Sequence, residues 1–329
     1  NIDYDKSKIS WSRALKNNLK KERPIQFNSD NVHLCHYRPF IKTNLYFQKE
    51  LNEMQYQVNK IYPNNESRNL MIVTSGTGAR SGFSCLITSI KVDFQFMDNG
   101  QGFPLTIHNE SDELFTATLR DTSNINKEFV SSLRKLYSDE AISNEDVFYY
   151  TYGLLHSEEY RERYGDNLSK ELPRIPCVKK AEDFWAFSKA GRALAHWHLN
   201  YETIEPYKAT LDTGTTPYSQ LTADDFRVEK MKFAKKGEKD TVIYNKRITI
   251  KDIPVEAYDY VVNGKPALEW VIERQSVSTH KDSGIVNDAN DWAIETMNNP
   301  AYPLELFLRV ITVSLETMKI VKSLPKLDI

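Results

Sequence analysis

The segment YVVNGKPALEWVIERQSVSTHKDSGIVNDANDW, residues 260–292, carries the clearest structural pattern in the chain. It opens with strand character, turns at Asn263-Gly264, and becomes a helix with Pro266 near its first turn. Leu268, Val271 and Ile272 then recur on one helical face. After Gln275 the pattern turns polar. Residues 276–291 are expected to form a loop rich in short hydrogen-bonding side chains, ending at Trp292. Polar loops with an aromatic anchor present binding surfaces. A plain surface connection pinned by a buried Trp is the competing reading.

Working outward, residues 304–324 predict a helix that is apolar almost all round: Phe307, Val310, Ile311, Val313, Leu315, Met318 and Val321. Such a helix is buried in a core or against another domain. Upstream, residues 226–250 predict a two-stranded hairpin turning at 235–239. Lys230, Lys232, Lys235, Lys236, Lys246 and Arg247 would crowd its exposed face and tip. A basic ribbon can enter a major groove or ride along phosphates. Lysines on an edge strand also simply prevent aggregation. Residues 206–220 lack periodicity and mark a boundary.

Residues 123–205 are helical in pattern. Phe129, Leu133 and Leu136 share a face in 126–137. Ser143 and Asp146 resemble a capping box for the next helix. Ser157 can cap a further one, which Gly165 would close. That pair has the length of a helix-turn-helix, but Glu158, Glu159 and Glu162 make its second helix too acidic for a major groove. Residues 181–201 form a long helix burying Phe184, Phe187, Leu194 and Trp197. Strands are expected at 69–74, 85–91, 93–97 and 114–119. Between the first two lies SGTGARSG, 75–82, where glycines allow close backbone approach and Arg80 can meet a phosphate. It is neither a P-loop nor a dinucleotide fingerprint. In 34–47, Arg38, Lys42 and Asn44 alternate with Tyr37, Phe40, Tyr46 and Phe47. Arg and Asn suit paired hydrogen bonds to base edges, while the aromatics stack or pack. Residues 6–23 predict a short basic amphipathic helix that Pro24 helps to end.

The whole is read as an α+β chain: a β-rich part at 1–122, a central helical bundle at 123–205, and a hairpin-plus-helix part at 206–329 with a buried C-terminal helix. The formal net charge is −2, but it is unevenly spread. Residues 1–49 hold ten Lys/Arg against four Asp/Glu, and residues 227–251 nine against three. That fits a protein with one cationic face, and also an ordinary solvated surface. Three separated cysteines, Cys35, Cys85 and Cys177, read as reduced thiols in a cytoplasmic protein. A start at Asn1 is expected of a processed product or fragment. No apolar run reaches the length of a membrane span.

Catalytic constellations are missing. There is no Walker motif, no nucleophile elbow, no zinc-protease helix and no methyltransferase Pro-Pro-aromatic motif. His33 and His36 flank Cys35, but no second ligand pair has suitable spacing, so no metal site is expected.

Several blocks resemble one family. VVNGKPALEWVIERQ, SGIVNDANDW, YRPF followed by LYF, QGFPL, DVFYYTYGLLHSEEYRERY and LPRIP are similar to the C-terminal target-recognition region of type ISP restriction-modification enzymes. The likeness runs from KISWSRALK to IVKSLP. One departure is Thr106, where Tyr is common. Those enzymes join a nuclease, a helicase-like ATPase, an adenine-N6 methyltransferase and a recognition domain in one chain. The resemblance implies sequence-specific binding of double-stranded DNA, directing methylation and ATP-driven cleavage by upstream domains. S-adenosylmethionine, ATP and Mg would belong to those domains, and no cofactor or catalytic residue to this part. The implied partners are the methyltransferase and helicase domains of the same chain. Candidate DNA contacts are Arg38, Lys42, Asn44, Arg80, Lys230, Lys232, Arg247, Lys281, Ser283, Asn287 and Asp288. The rival readings are a docking module that reads no bases, and a hydrolytic site built on Asp282, Asp288 and Asp291.

Overall fold

The computed structural model describes residues 5, 10–52, 54–110, 119–138 and 140–329. Ser12 caps α1 (Arg13–Lys20) through Leu15 N. Nothing on this helix is buried, and Leu19 is 46% exposed. The earlier part of the predicted helix, residues 6–9, lies outside the described residues. A hairpin of β1 (Val32–Arg38) and β2 (Ile41–Tyr46) follows, then α2 (Val58–Ile61), β3 (Met71–Thr74), β4 (Cys85–Thr88), β5 (Lys91–Val92) and β6 (Gln101–Pro104). They make two sheets, ordered β2-β1-β5 and β4-β3-β6. Every residue of β3 and β4 is buried, which explains their unbroken apolar runs. Residues 93–97 are a turn, not the expected strand. Asp93 Oδ1 accepts from Gln95 N at 2.8 Å, a local bond that competes with extension. β7 (Thr106–Glu110) and β8 (Leu119–Ser123) pair as a separate ribbon. Residues 114–118 of the strand expected there lie outside the described residues.

The helical part holds α3 (Lys127–Leu136), α4 (Asn144–Leu155), α5 (Glu158–Arg163), α6 (Gly165–Leu168) and α7 (Ala181–Leu199). The Ser143–Asp146 capping box is present, and Ser157 Oγ accepts from Tyr160 N. Gly165 opens α6 instead of only ending α5. On α3 the buried residues are Val130 and Leu133, while Leu136 faces solvent. α4 and α7 pack backbone to backbone through glycine. A Cβ on Gly191 would lie 1.9 Å from Tyr149 O, and one on Gly153 2.1 Å from Phe187 O.

The remaining elements are β9 (Thr210–Asp212), β10 (Lys232–Lys235), β11 (Glu238–Ile243), β12 (Thr249–Lys251), β13 (Val261–Val262), β14 (Lys265–Pro266), α8 (Ala267–Arg274), β15 (Val277–Thr279), β16 (Val286–Asp288), α9 (Ala289–Asp291) and α10 (Tyr302–Lys322). Two expectations change here. The predicted two-stranded ribbon at 226–250 is part of a four-stranded sheet, β10-β11-β12-β9, because Ile248 and Ile250 are fully buried and β9 covers β12. The predicted loop at 276–291 contains a ribbon of its own, β15–β16, turning near Gly284 at φ +69°. Its residues are mostly exposed, so no alternating apolar signal betrays it.

Two apolar clusters form the core. One gathers Phe40, Phe96, Tyr201, the β11–β12 interior, α8 and most of α10; the other gathers β4, α3, α4 and α7. Buried histidines lie along their contact. His198 shares hydrogen bonds with Tyr152 OH at 2.6 Å and Thr317 Oγ1 at 2.9 Å. Its ring stacks on Tyr260 at 5.3 Å. His36 stacks on Phe96, and both its nitrogens are engaged, by Thr88 Oγ1 and Tyr201 OH. Burial pushes His198 down to about 3, and holds His36 and His156 well below the ordinary imidazole range.

Unfolded, these imidazoles take up protons near pH 6.5; folded, they resist. Stability is therefore complete above about pH 6.5 and is lost as pH falls toward 3. The slope reaches ~1.4 kcal/mol per pH unit for each histidine in that window. Urea midpoints measured from pH 7.5 to 4.5 should hold level to about pH 6.5 and then fall, and His198→Phe should make that fall shallower. A flat wild-type profile would refute neutral histidines.

Candidate nucleic-acid interface

The β15–β16 ribbon stands away from the larger sheets but is firmly rooted. Asn290, just past β16, is buried, and its carboxamide meets one residue twice. Val228 N donates to Asn290 Oδ1 at 2.9 Å, and Asn290 Nδ2 donates to Val228 O at 2.8 Å. Val277 N donates to Glu229 O at 2.8 Å, and Lys230 bridges Ser276. Arg227 Nη2 donates to Asp288 Oδ2 at 2.7 Å. Burial opposes the charge on Asp288, yet the hydrogen bonds from Arg227 and Asn290 outweigh it and hold the carboxyl below its usual range. The ribbon is thus stitched to the segment leading into β10.

That stitching brings together candidates from two parts of the sequence. Lys230 and Lys232 are exposed beside the ribbon's root. Arg247 lies across the same face, its Nε on Asp225 Oδ1 at 3.1 Å. Asn287 is exposed on β16, and Lys281 is exposed at the tip. Ser283 Oγ shares a 3.0 Å hydrogen bond with His280 Nδ1 within the turn. Ile285 and Val286 are exposed there too, at 59% and 58%. Nothing in the sequence marks their exposure, because short polar side chains surround them. The face is mixed in charge, with Asp224, Asp225 and Glu229 among the cations.

The N-terminal candidates are placed differently. Arg38 is 9% exposed: it donates to Asp93 Oδ1 at 2.7 Å and to Gln95 Oε1 at 3.0 Å, so it fastens the 93–97 turn. Lys42 bonds Glu202 and lies over the Tyr201 ring. Both cations are committed to the protein's own groups. Asn44 is exposed on β2 opposite Leu34. Tyr37, between them, turns its ring toward two guanidiniums, Arg38 at 4.0 Å and Arg274 at 5.7 Å. Arg274, from the end of α8, brings this hairpin beside the ribbon; a cleft of about 350 Å³ separates them.

Arg80 sits apart on the glycine-rich loop between β3 and β4. Its side chain is 92% exposed, with Nε 3.7 Å from Asp98 Oδ2. Asn263 clasps this loop: its Oδ1 accepts from Ser81 Oγ and Asp98 N, and its own N–H donates to Ser84 Oγ. Gly264 is required beside it, because φ is +76° and a Cβ would lie 2.7 Å from Ser81 Cβ. The Asn263-Gly264 turn and the 75–82 loop, far apart in the sequence, therefore hold each other.

Asp282 and Asp291 are exposed and Asp288 is bound to Arg227. Among the described residues no group of three or more His, Cys, Asp or Glu is placed to hold a metal. Cys85 lies 3.6 Å from His156, yet burial pushes its thiol up to about 11, far from a nucleophilic thiolate. No described helix is long and apolar enough to cross a membrane.

Residues 1–306 match the family described as Type ISP C-terminal specificity domain. The chain belongs to that family. It is 36% identical to the ATP-dependent Type ISP restriction-modification enzyme LlaBIII, solved bound to DNA, with a TM-score of 0.86 over 98% of this chain and 20% of that one. A nuclease-deletion mutant of the Type ISP enzyme LlaGI, in complex with a DNA substrate mimic, is 38% identical over all of this chain and 23% of its own, at a TM-score of 0.82. A DrdV–DNA complex is 30% identical over 97% of this chain and 31% of its own, at 0.79. No curated protein matches. The chain thus spans about a fifth to a third of the length of these structures, and its α+β architecture is theirs.

Asn290→Ala removes both hydrogen bonds to Val228 and leaves a buried backbone N–H and C=O unpaired. We predict a loss of about 2 kcal/mol in urea unfolding and faster amide exchange in β15 and β16. Unchanged exchange there would show that the ribbon does not depend on this clasp.

Proposed function

We propose that this chain is the DNA-reading part of a larger restriction-modification enzyme, whose target it selects for adenine-N6 methylation and ATP-driven cleavage by other domains. One observation carries the reading: an exposed two-stranded ribbon, rooted by Asn290 and flanked by Lys230, Lys232 and Arg247. A ribbon of this width fits a major groove, and lysines along its root suit the phosphates on either side. Likeness over the whole chain to enzymes solved on DNA supports it.

In this reading Asn287, Lys281 and Ser283 meet bases, while Lys230, Lys232, Arg247 and Arg80 meet phosphates. Arg38, Lys42 and Asp288 act by holding the contact elements in place, since they are largely buried against their partners, whereas Arg247 and Arg80 remain exposed beside theirs. Asn44 marks the far edge. The chemistry belongs to other domains, which would hold S-adenosylmethionine, ATP and Mg. The open apolar side of α1 and the segment after it, with Leu19 and Ile25 exposed, favours a second, compatible role: docking onto a neighbouring domain.

The test is selection of the full-length parent on a randomised duplex pool, repeated with this chain at two salt concentrations. An enriched asymmetric motif is expected with the parent. Lys230→Ala, Lys232→Ala and Arg247→Ala should each weaken binding about equally for all sequences and reduce the salt slope by ~1. Asn287→Ala should relax one position of the motif by about 1–3 kcal/mol. If the parent enriches no motif, the docking role alone remains.

A further inference from the structure

The cleft between the β1–β2 hairpin and the β15–β16 ribbon holds polar groups with nothing to bond. Gln275 lines it and is 4% exposed, yet its Oε1 has no hydrogen-bond partner. The Nε of Arg274, on the same wall, is likewise buried and unpaired. Leaving such a group unpaired is costly, and native chains carry few of them. A buried, unpaired acceptor and donor on two consecutive residues that line the cleft point to a missing ligand that offers both. The rest of the cleft narrows its chemistry. Glu273 and Asp288 line it as well, which disfavours a phosphate. Tyr37 lines it with a flat ring already faced by guanidiniums, the kind of surface on which bases stack.

We propose that this cleft receives one nucleobase swung out of the duplex. The base stacks near Tyr37 and presents its Watson–Crick edge, where donor and acceptor alternate, to Gln275 Oε1 and Arg274 Nε. The last torsion of a glutamine is soft and roughly two-fold, so a turn of the carboxamide delivers the acceptor. Stacked base pairs are read by side chains that protrude into a groove. A concave cleft of about 350 Å³ suits a base that has left the stack. The inference rests on the DNA reading above and adds a second place, outside any methyltransferase pocket, where the duplex is opened.

The experiment uses the full-length parent and the motif it selects. A fluorescent base analogue is placed at each position of both strands in turn. Besides the base presented for methylation, one further position should brighten several-fold on binding. Gln275→Met and Tyr37→Leu should abolish that second signal, leave the first intact and keep the melting temperature within a few degrees. Should either variant fail to fold, the wild-type scan still decides: a bound target with no second unstacked position overturns the cleft proposal and leaves the DNA reading standing. A second signal that survives in folded variants also overturns it, since the base would then lie elsewhere. A parent that selects no motif overturns both.

Discussion

One histidine ties the chain together. His198, on α7, meets Tyr152 of α4, Thr317 of α10, Tyr260 ahead of β13 and the edge of Phe40 in the N-terminal hairpin. Tyr152 OH accepts from Ile87 N and shares a hydrogen bond with His198 Nδ1, while His198 Nε2 shares one with Thr317 Oγ1. A neutral imidazole meets both partners, accepting at one nitrogen and donating at the other. Burial enforces that state. Because these partners come from distant parts of the sequence, the network sets how the helical layer sits against the sheets. The glycine contact of α4 with α7 brings Tyr152 and His198 within reach.

The candidate interface inherits its rigidity from this centre in two steps. α8 packs against α10 through Leu268 and Val271, both fully buried. Its C-terminal end then carries Arg274 and Gln275 outward, to the point where the ribbon begins. The other support is the Asn290 clasp, which fixes the ribbon to the strand entry at Val228. A ribbon held at both ends can keep polar side chains exposed without collapsing, and readout of bases needs that. Arg38 does similar work on the opposite wall: it spends its donors on the 93–97 turn and leaves Tyr37 with a defined ring position. Residues whose chemistry suits DNA are thus divided between those that face outward and those that hold the first group still.

Much of this was legible in the residues. The Asn263-Gly264 turn, the helix after Pro266, the capping box at Ser143 and the apolar C-terminal helix all follow from local patterns, because each depends on neighbours a few positions away. The blocks similar to type ISP enzymes were legible too, as the family match over residues 1–306 confirms. The β15–β16 ribbon was not. Its strands bury almost nothing, and a strand without a buried face leaves no alternation to read. The fourth strand beside β12 was missed because β9 is short and pairs across a long separation.

Local chemistry in the sequence therefore determined the element types, the capped helix ends and the glycine turns, because φ preferences and side-chain-to-backbone bonds act within a few residues. It could not say which cations stay exposed. Arg38 and Lys42 look like Lys230 and Arg247 in a one-dimensional reading. Only the tertiary structure, by placing Asp93 beside Arg38 and Glu202 beside Lys42, decided that the first two are held inside. Charge pairing is a matter of distance in space, and distance in space is set by packing across the whole core.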